Sequence, residues 1–397
     1  LKATMKTRKI IKRISITLAT IITLLLIAIA VAINFVFTPE RITPTVISLL
    51  NDKLDAKVSC KSIELTFFSS FPRFGVKLQD GCVVTPGYNG HKPDTLAQFD
   101  LCRASFNAEK LWRKHDLVIN RLLITNPKIK AVIHKNGSAN WNIVKETPED
   151  TTTVDSTAFE IKSIFIKKLQ VENAGIAYHD FVTKTHAKTD SLFIELKASN
   201  TDKEMLLTTQ TSGRHISVSK DGYSFARKLK ADFSTKIHYD KKNHKVDFDR
   251  STIKLNDVDF VTEGHFKRDT ITNEVYTDVV MEMKVPSLQT LWETIPSHLI
   301  QKDGIDLKGN VVLKATSKGI YSKKHMPVTD ITFKIDKGKL RYKNFPGEIR
   351  HLEADLHALL NFDKPELSNL TVKQIYLEGT GVDLLSLIHI SEPTRRT

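Results

Sequence analysis

The densest group of side chains that could bind a metal or move a proton is His179-Asp180 with His186, in the segment YHDFVTKTH. Two imidazoles and a carboxylate this close are a partial ligand set for zinc or another transition metal. The same letters also read as a turn between two strands, with Asp180 ordering the bend and both histidines in water, and the turn is the expectation. Gly379-Thr380-Gly381 lies at a strand end with no helix behind it, so it carries no nucleotide-binding signal. No G-x-S-x-G, H-E-x-x-H, P-loop, G-x-G-x-x-G or paired C-x-x-C occurs. The chain is therefore expected to be no enzyme and to need no metal or cofactor.

Three cysteines, Cys60, Cys82 and Cys102, are too few for a disulfide scaffold. If residues 57–67 and 74–84 form a hairpin about Ser70-Phe71-Pro72, Cys60 falls opposite Cys82, and an oxidising compartment could join them. The alternative is free, partly buried thiols. A net charge of +14 over 397 residues raises the question of nucleic acid, but the bases are scattered between apolar positions and not clustered with aromatics. They read as a solvated strand face, so no nucleic-acid partner is expected.

The stretch that must position everything else is Ile14–Phe37, ISITLATIITLLLIAIAVAINFVF, which holds no charge. Its length as a helix is roughly 36 Å, enough to cross a hydrocarbon core of about 30 Å. Lys6, Arg8, Lys9, Lys12 and Arg13 precede it and only Arg41 follows closely, which places residues 1–13 in the cytoplasm. A single-pass anchor over 14–37 is expected, with the bulk of the chain across the membrane. Cleavage at Ala30-Val31-Ala32 and a buried core helix are the competing readings.

Beyond the anchor, Pro39 to Leu54 shows helical spacing and reads as a short amphipathic helix. From Val58 the period changes to two, through Ile63, Leu65 and Phe67 and then Phe74, Val76 and Leu78, as half-buried antiparallel strands do. Leu117–Asn120 and Lys128–Ile133 continue the pattern on either side of a turn at Asn126-Pro127, with a brief helical patch, NAEKLWRKH, ahead of them. KNGSANWNIV closes this unit: Gly137 supplies a positive-φ turn, Trp141 folds back on the sheet, and Asn140 and Asn142 satisfy turn backbone groups.

Residues 146–158, acidic and Thr-rich, read as a linker between a first module, 38–145, and a second, 159–384. The second restarts with Ile161, Ile164, Ile166, Leu169 and Val171. Strands follow around 192–198, 216–218, 229–239, 246–248, 253–260 and 275–285, then a helix in SLQTLWETIPSHLI, then strands around 307–315, 331–335, 349–359 and 370–377. The fold class is mainly β, a meandering antiparallel sheet with few short helices.

Both ends are set aside from this reading. Leu1 to Thr4 precede the first methionine. Leu385 to Arg395, LSLIHISEPTR, matches the conceptual translation of a transposase-type sequencing adapter, so residues 385–397 are expected to be foreign and the native protein to run on past Leu384.

The chain resembles the AsmA family of Gram-negative envelope proteins, in a form like those of the Bacteroidota. The resemblance rests on the basic N-terminus, the spanning run and the amphipathic helix, then KVSCKSIELTFFSSFPRFGVKLQDG, DTLAQFDLCRASFNAEKLW and LVINRLLITNPKIKAVIHKNGSANWNIV, with Gly137, Asn140 and Trp141 as the motif turn, and later VENAGIAYHDFVTKT. The family implies an elongated, strongly bent, groove-like sheet that is anchored in the inner membrane, stands in the periplasm and moves glycerophospholipids toward the outer membrane. Phospholipids would be its cargo and other envelope proteins its partners. Groove-lining candidates on that reading are Val58, Leu65, Phe67, Phe74, Val76, Leu78, Ile119, Ile129, Ala131, Ile133, Ile164 and Ile166. The competing reading is a structural or assembly factor for outer-membrane protein biogenesis that binds protein partners.

Overall fold

A computed structural model of the chain describes residues 38–66, 74–86, 93–143, 145, 163–285, 287–296, 298–300, 302–322, 324–344 and 347–391. The apolar run Ile14–Phe37 and the linker 146–158 lie outside these residues. Among the described residues no helix is long and apolar enough to cross a membrane.

Alternation dominates the sequence, and the described residues accordingly form one large sheet of 19 strands. The first module supplies β1 (Lys57–Ser59), β2 (Ser62–Thr66), β3 (Phe74–Thr85), β4 (Asp94–Phe106), β5 (Asp116–Thr125) and β6 (Lys128–Ile133). The second opens with β7 (Ser163–Ile166), β8 (Lys168–Asp180), β9 (Thr185–Asn200), β10 (Glu204–Lys220), β11 (Tyr223–Asp240) and β12 (Lys245–Leu255). It continues with β13 (Val258–Arg268), β14 (Val275–Val285), β15 (Ile305–Tyr321), β16 (Val328–Tyr342), β17 (Glu348–Leu360), β18 (Asn369–Gly379) and β19 (Val382–Ser391). Among the described residues three α-helices accompany them, α1 (Pro39–Lys53), α2 (Ala108–Lys114) and α3 (Leu288–Thr294), with one 3-10 turn at Pro365–Leu367.

From β8 to β19 each strand pairs antiparallel with the next, which is the expected meander. The join to the first module is different, and it corrects the expectation of a purely antiparallel sheet. β5 pairs parallel with β7 and β8, and β6 pairs parallel with β8. Parallel neighbours need a long crossover, and residues 134–162 supply the length. Asn126-Pro127 does not reverse the chain either. β5 and β6 lie in line, both antiparallel to β4, with Asn126 at φ 50° taking up the interruption.

Other differences are local. The stretch 253–260 is not one strand but the two arms of a hairpin, because Asn256 at φ 54° turns the chain between β12 and β13. Ser59, not Cys60, stands opposite Cys82, and Cys60 falls in the gap between β1 and β2. All three cysteines are free thiols, so the Cys60–Cys82 bridge is not made. Strand β19 takes in residues read as foreign: LSLIHIS alternates well enough to add to the open edge of β18, as such segments do.

At the opposite edge, α1 covers what β1 and β2 leave unpaired. Asn51 accepts from the Val58 amide (2.6 Å) and donates to its carbonyl (3.3 Å), imitating a neighbouring strand, and Thr43 Oγ1 accepts from the Ile63 amide (2.8 Å). The motif turn docks onto the same helix, with Ile143 O accepting from Asp55 N (2.6 Å) and Lys145 Nζ donating to the carbonyls of Asn51 and Asp52 (3.2 Å each). Cations and donors at a helix C-terminus are favourable because its last carbonyls lack partners.

Candidate functional site: the apolar face of the sheet

The site is a face, and cross-strand register defines it. Residues directly opposite one another in neighbouring strands present their side chains to the same side. From the first edge the pairing runs Ile63, Leu78, Cys102, Ile124, Val171, Ile194 and Thr211. It goes on through Phe233, Ile253, Phe260, Met283, Leu313, Phe333, Leu356 and Val372. This rung crosses β2 to β5 and β8 to β18, fifteen strands, with Thr211 its one polar member. At about 4.8 Å per strand it is roughly 67 Å long.

One residue further along every strand the chemistry inverts. The adjacent rung reads Glu64, Lys77, Arg103, Leu123, Gln170, Glu195 and Gln210. It continues with Ser234, Thr252, Val261, Glu282, Lys314, Thr332, His357 and Thr371. Ion pairs lace this side, among them Lys77–Glu64 (3.1 Å), Lys318–Asp278 (2.9 Å) and Lys334–Asp355 (2.8 Å). Glu195 sits between Lys197 (2.6 Å) and Lys168 (2.9 Å), whose hydrogen bonds hold its carboxyl down at about 2.

The apolar face is only partly covered. Under α3, Leu288 and Leu291 pack on Val258, Met283, Val285 and Val311, and Val258 is 1% exposed. Elsewhere the same face stays open: Phe233 is 37% and Leu65 39% exposed. A closed sandwich would have buried these side chains.

The lining candidates fall on this face as follows. Leu78 is in the main rung. Leu65 and Val76 belong to the parallel rung Leu65, Val76, Ala104, Leu122, Leu169, Leu196. Phe74, Phe106, Ile119 and Ile166 make another, with the two phenyl rings stacked at 6.0 Å, and Ile164 stands opposite Leu117 beside it. Val58 shares a rung with Val83, Ala97, Ile129 and Ile176, followed by Ala131 opposite Tyr178 and Ile133 opposite Asp180. Phe67 lies outside the described residues.

Five residues separate Leu78 from Val83, Ile124 from Ile129 and Val171 from Ile176, an odd step that in regular strands would change faces. Asp80, Asn126 and Asn173, all with φ near 50°, interrupt the alternation at the same level. The exposed positions shift with them, from 98 and 100 to 103 on β4 and from 186, 188 and 190 to 197 on β9, so the apolar side stays continuous. Asn126 donates to Asp100 (2.6 Å) and Asn173 to Asn126 (2.8 Å), tying this line of bulges together.

The motif turn secures the outer edge of β6. Gly137 has φ 83°, and Asn140 accepts from the Val132 amide and donates to the Lys130 carbonyl, 2.9 Å each, standing in for a strand. Trp141 folds back to 6.4 Å from the Tyr178 ring.

The histidine cluster is the β8–β9 turn. Asp180 Oδ1 accepts from the amides of Val182 and Thr183, and Oδ2 from the Thr183 hydroxyl, bonds that hold its carboxyl below the usual range. His179 and His186 meet through their Nδ1 atoms at 3.0 Å. Burial, then His186, then Lys130 push the His179 imidazole down. Among the described residues no three His, Cys, Asp or Glu side chains converge as a metal site would need.

The candidates stop at Ile166, whereas the apolar rung continues to Val372. The alternation of those later strands was visible, but the quoted motifs are specific only in the first module.

Fold and face together define a class: single-layer β-sheet proteins with one continuous apolar side that is only partly covered. The AsmA family model matches residues 8–312, and the chain belongs to the AsmA family. That membership connects it with envelope or lipid-related processes. No curated protein and no solved structure matches the chain.

Proposed function

We propose that this protein is an inner-membrane-anchored, periplasmic conduit that moves glycerophospholipids toward the outer membrane, their acyl chains lying along the apolar face. The observation that carries the reading is the continuous apolar rung from Ile63 to Val372, most of its members only half-buried and Phe233 exposed, backed by a polar rung one residue away. Each acyl CH₂ brought into water costs about 0.8 kcal/mol, and a continuous apolar strip removes that cost at every point of the path. Exposed apolar patches on soluble monomers rarely exceed a few hundred Å², so a strip roughly 67 Å long calls for an occupant. No bond is made or broken in such transport, and the reading requires no catalytic group.

The test is photo-crosslinking in cells, with a photoreactive residue at Val76 or Ile124 on the apolar side and at Lys77 or Arg103 on the polar side. Phospholipid adducts are expected from the first pair and not the second. Equal labelling of both faces, or no lipid adduct from either, sinks the proposal.

A further inference from the structure

The chain between β14 and β15 is far longer than a reversal needs. Neighbouring strands at the same end turn on two residues, at Asp221-Gly222 and Asn256-Asp257, whereas the connection from Val285 to Ile305 is long enough to carry α3. The insertion does not lie at the margin. Leu288 and Leu291 pack on Met283 of the main rung and on Val258, Val285 and Val311 of the same face, the cluster against which the rung neighbours Phe260, Leu313 and Phe333 also pack.

Its two ends are held differently. The base is fixed: Gln289 Oε1 accepts from the Leu307 amide (2.9 Å), and Ser287 Oγ caps the helix through Thr290 N (3.1 Å). The tip reaches across to β11, where the His298 ring meets Phe225 edge to face (4.6 Å) and Tyr223 at a tilt (5.3 Å), with a 3.3 Å contact to the Ser224 carbonyl. Tip and latch are exposed, and a cavity of about 340 Å³ separates the strap from β11 and β12. The Trp292 indole N–H is shut off from solvent with no acceptor, so the closed arrangement leaves one buried donor unsatisfied, a penalty that opening relieves.

We propose that α3 and His298 beyond it form a strap across the apolar face, hinged at Ser287–Gln289 and latched by His298, which opens to let acyl chains pass beneath. This rests on the conduit reading, and a lipid on the open part of the face is the ligand it admits. The closed strap occupies the place of an acyl chain with Leu291, beyond the hinge. Passage and closure are therefore mutually exclusive at this point of the rung.

The test uses the full chain with Cys60, Cys82 and Cys102 replaced by serine, a photoreactive residue at Leu313 beneath the strap or at Val76 away from it, and dioleoylphosphatidylglycerol vesicles. Cysteines at His298 and Phe225 are joined by a short, reducible bifunctional thiol reagent. Locking is expected to lower lipid adducts at Leu313 at least severalfold while leaving those at Val76 unchanged, and reductant to restore them. His298→Ala, without cross-linking, is expected to raise labelling at Leu313. Equal labelling at Leu313 in locked and reduced protein overturns the strap alone. No adduct at either position in unlocked protein overturns the conduit reading and the strap with it.

Discussion

Two rungs of one sheet, starting at Ile63 and at Glu64, are built from consecutive residues of the same strands. One is apolar in all but Thr211; the other is polar in all but Leu123 and Val261. In most antiparallel sheets such alternation means that one face is covered by a second layer and the other faces water. Here the polar face behaves as usual, with cross-strand ion pairs, whereas the apolar face has α3 over part of it and lies open at Leu65 and Phe233. The contrast teaches that binary patterning sets which side is apolar but not what covers it.

The largest effect that could break this comparison comes from Ile124→Asp set against Leu123→Asp. The residues are neighbours in β5, and both are half-buried. A carboxylate in the apolar rung meets the acyl path, where burying a charge costs several kcal/mol, so lipid co-purifying with Ile124→Asp should fall at least about tenfold. The same charge at Leu123 should leave it unchanged. Mass spectrometry of bound lipid reads both, and equal losses would mean that the two faces do not differ in function.

A second pair separates the covered from the open part of the apolar face. Met283 is 5% exposed beneath α3, and Met283→Ala should cost about 2–5 kcal/mol. Leu65→Ala, at an open position, should change stability by no more than about 0.5 kcal/mol. Denaturant unfolding measures both, and a large loss at Leu65 would show that the open region is covered in solution. Asn140→Ala tests the edge that both faces share: it removes two bonds to the β6 backbone and should cost about 1–3 kcal/mol.

Much of this was legible because period-two patterning is a local signal. Val275–Val285 was readable to the residue, and α1 from its Pro39 start. Strands β9 to β11 run longer than read because their ends, such as Ser219-Lys220 against Tyr223-Ser224, are polar on both faces and carry no alternation. The parallel pairing of β5 with β8 was not legible, since strands far apart in the chain leave no local trace of pairing. Register was the other blind spot. Placing Cys60 opposite Cys82 misses the true pairing by one residue, and one residue decides the face. Asp80-Gly81 could be read as a bulge or turn position, and Asp80 has φ 49°, whereas Asn173, within a strand, conceals itself because its side chain does not announce a left-handed backbone.

The smallest expected effect concerns the polar face alone and sharpens what its ion pairs contribute. Hydrogen bonds from Lys197 and Lys168 hold the Glu195 carboxyl at about 2, below its ordinary 4.5. A carboxyl depressed by folding stabilises the native state above its unfolded pKa, and that contribution is lost as the pH falls toward the folded value. Between about pH 4.5 and 2, wild type should therefore lose more stability than Glu195→Gln, which has no charge there to lose. The difference should stay under about 1 kcal/mol, because the pair is solvent-screened. Thermal melts across that range check it. A Glu195→Gln curve parallel to wild type would show that the lysines keep this face soluble without stabilising the sheet.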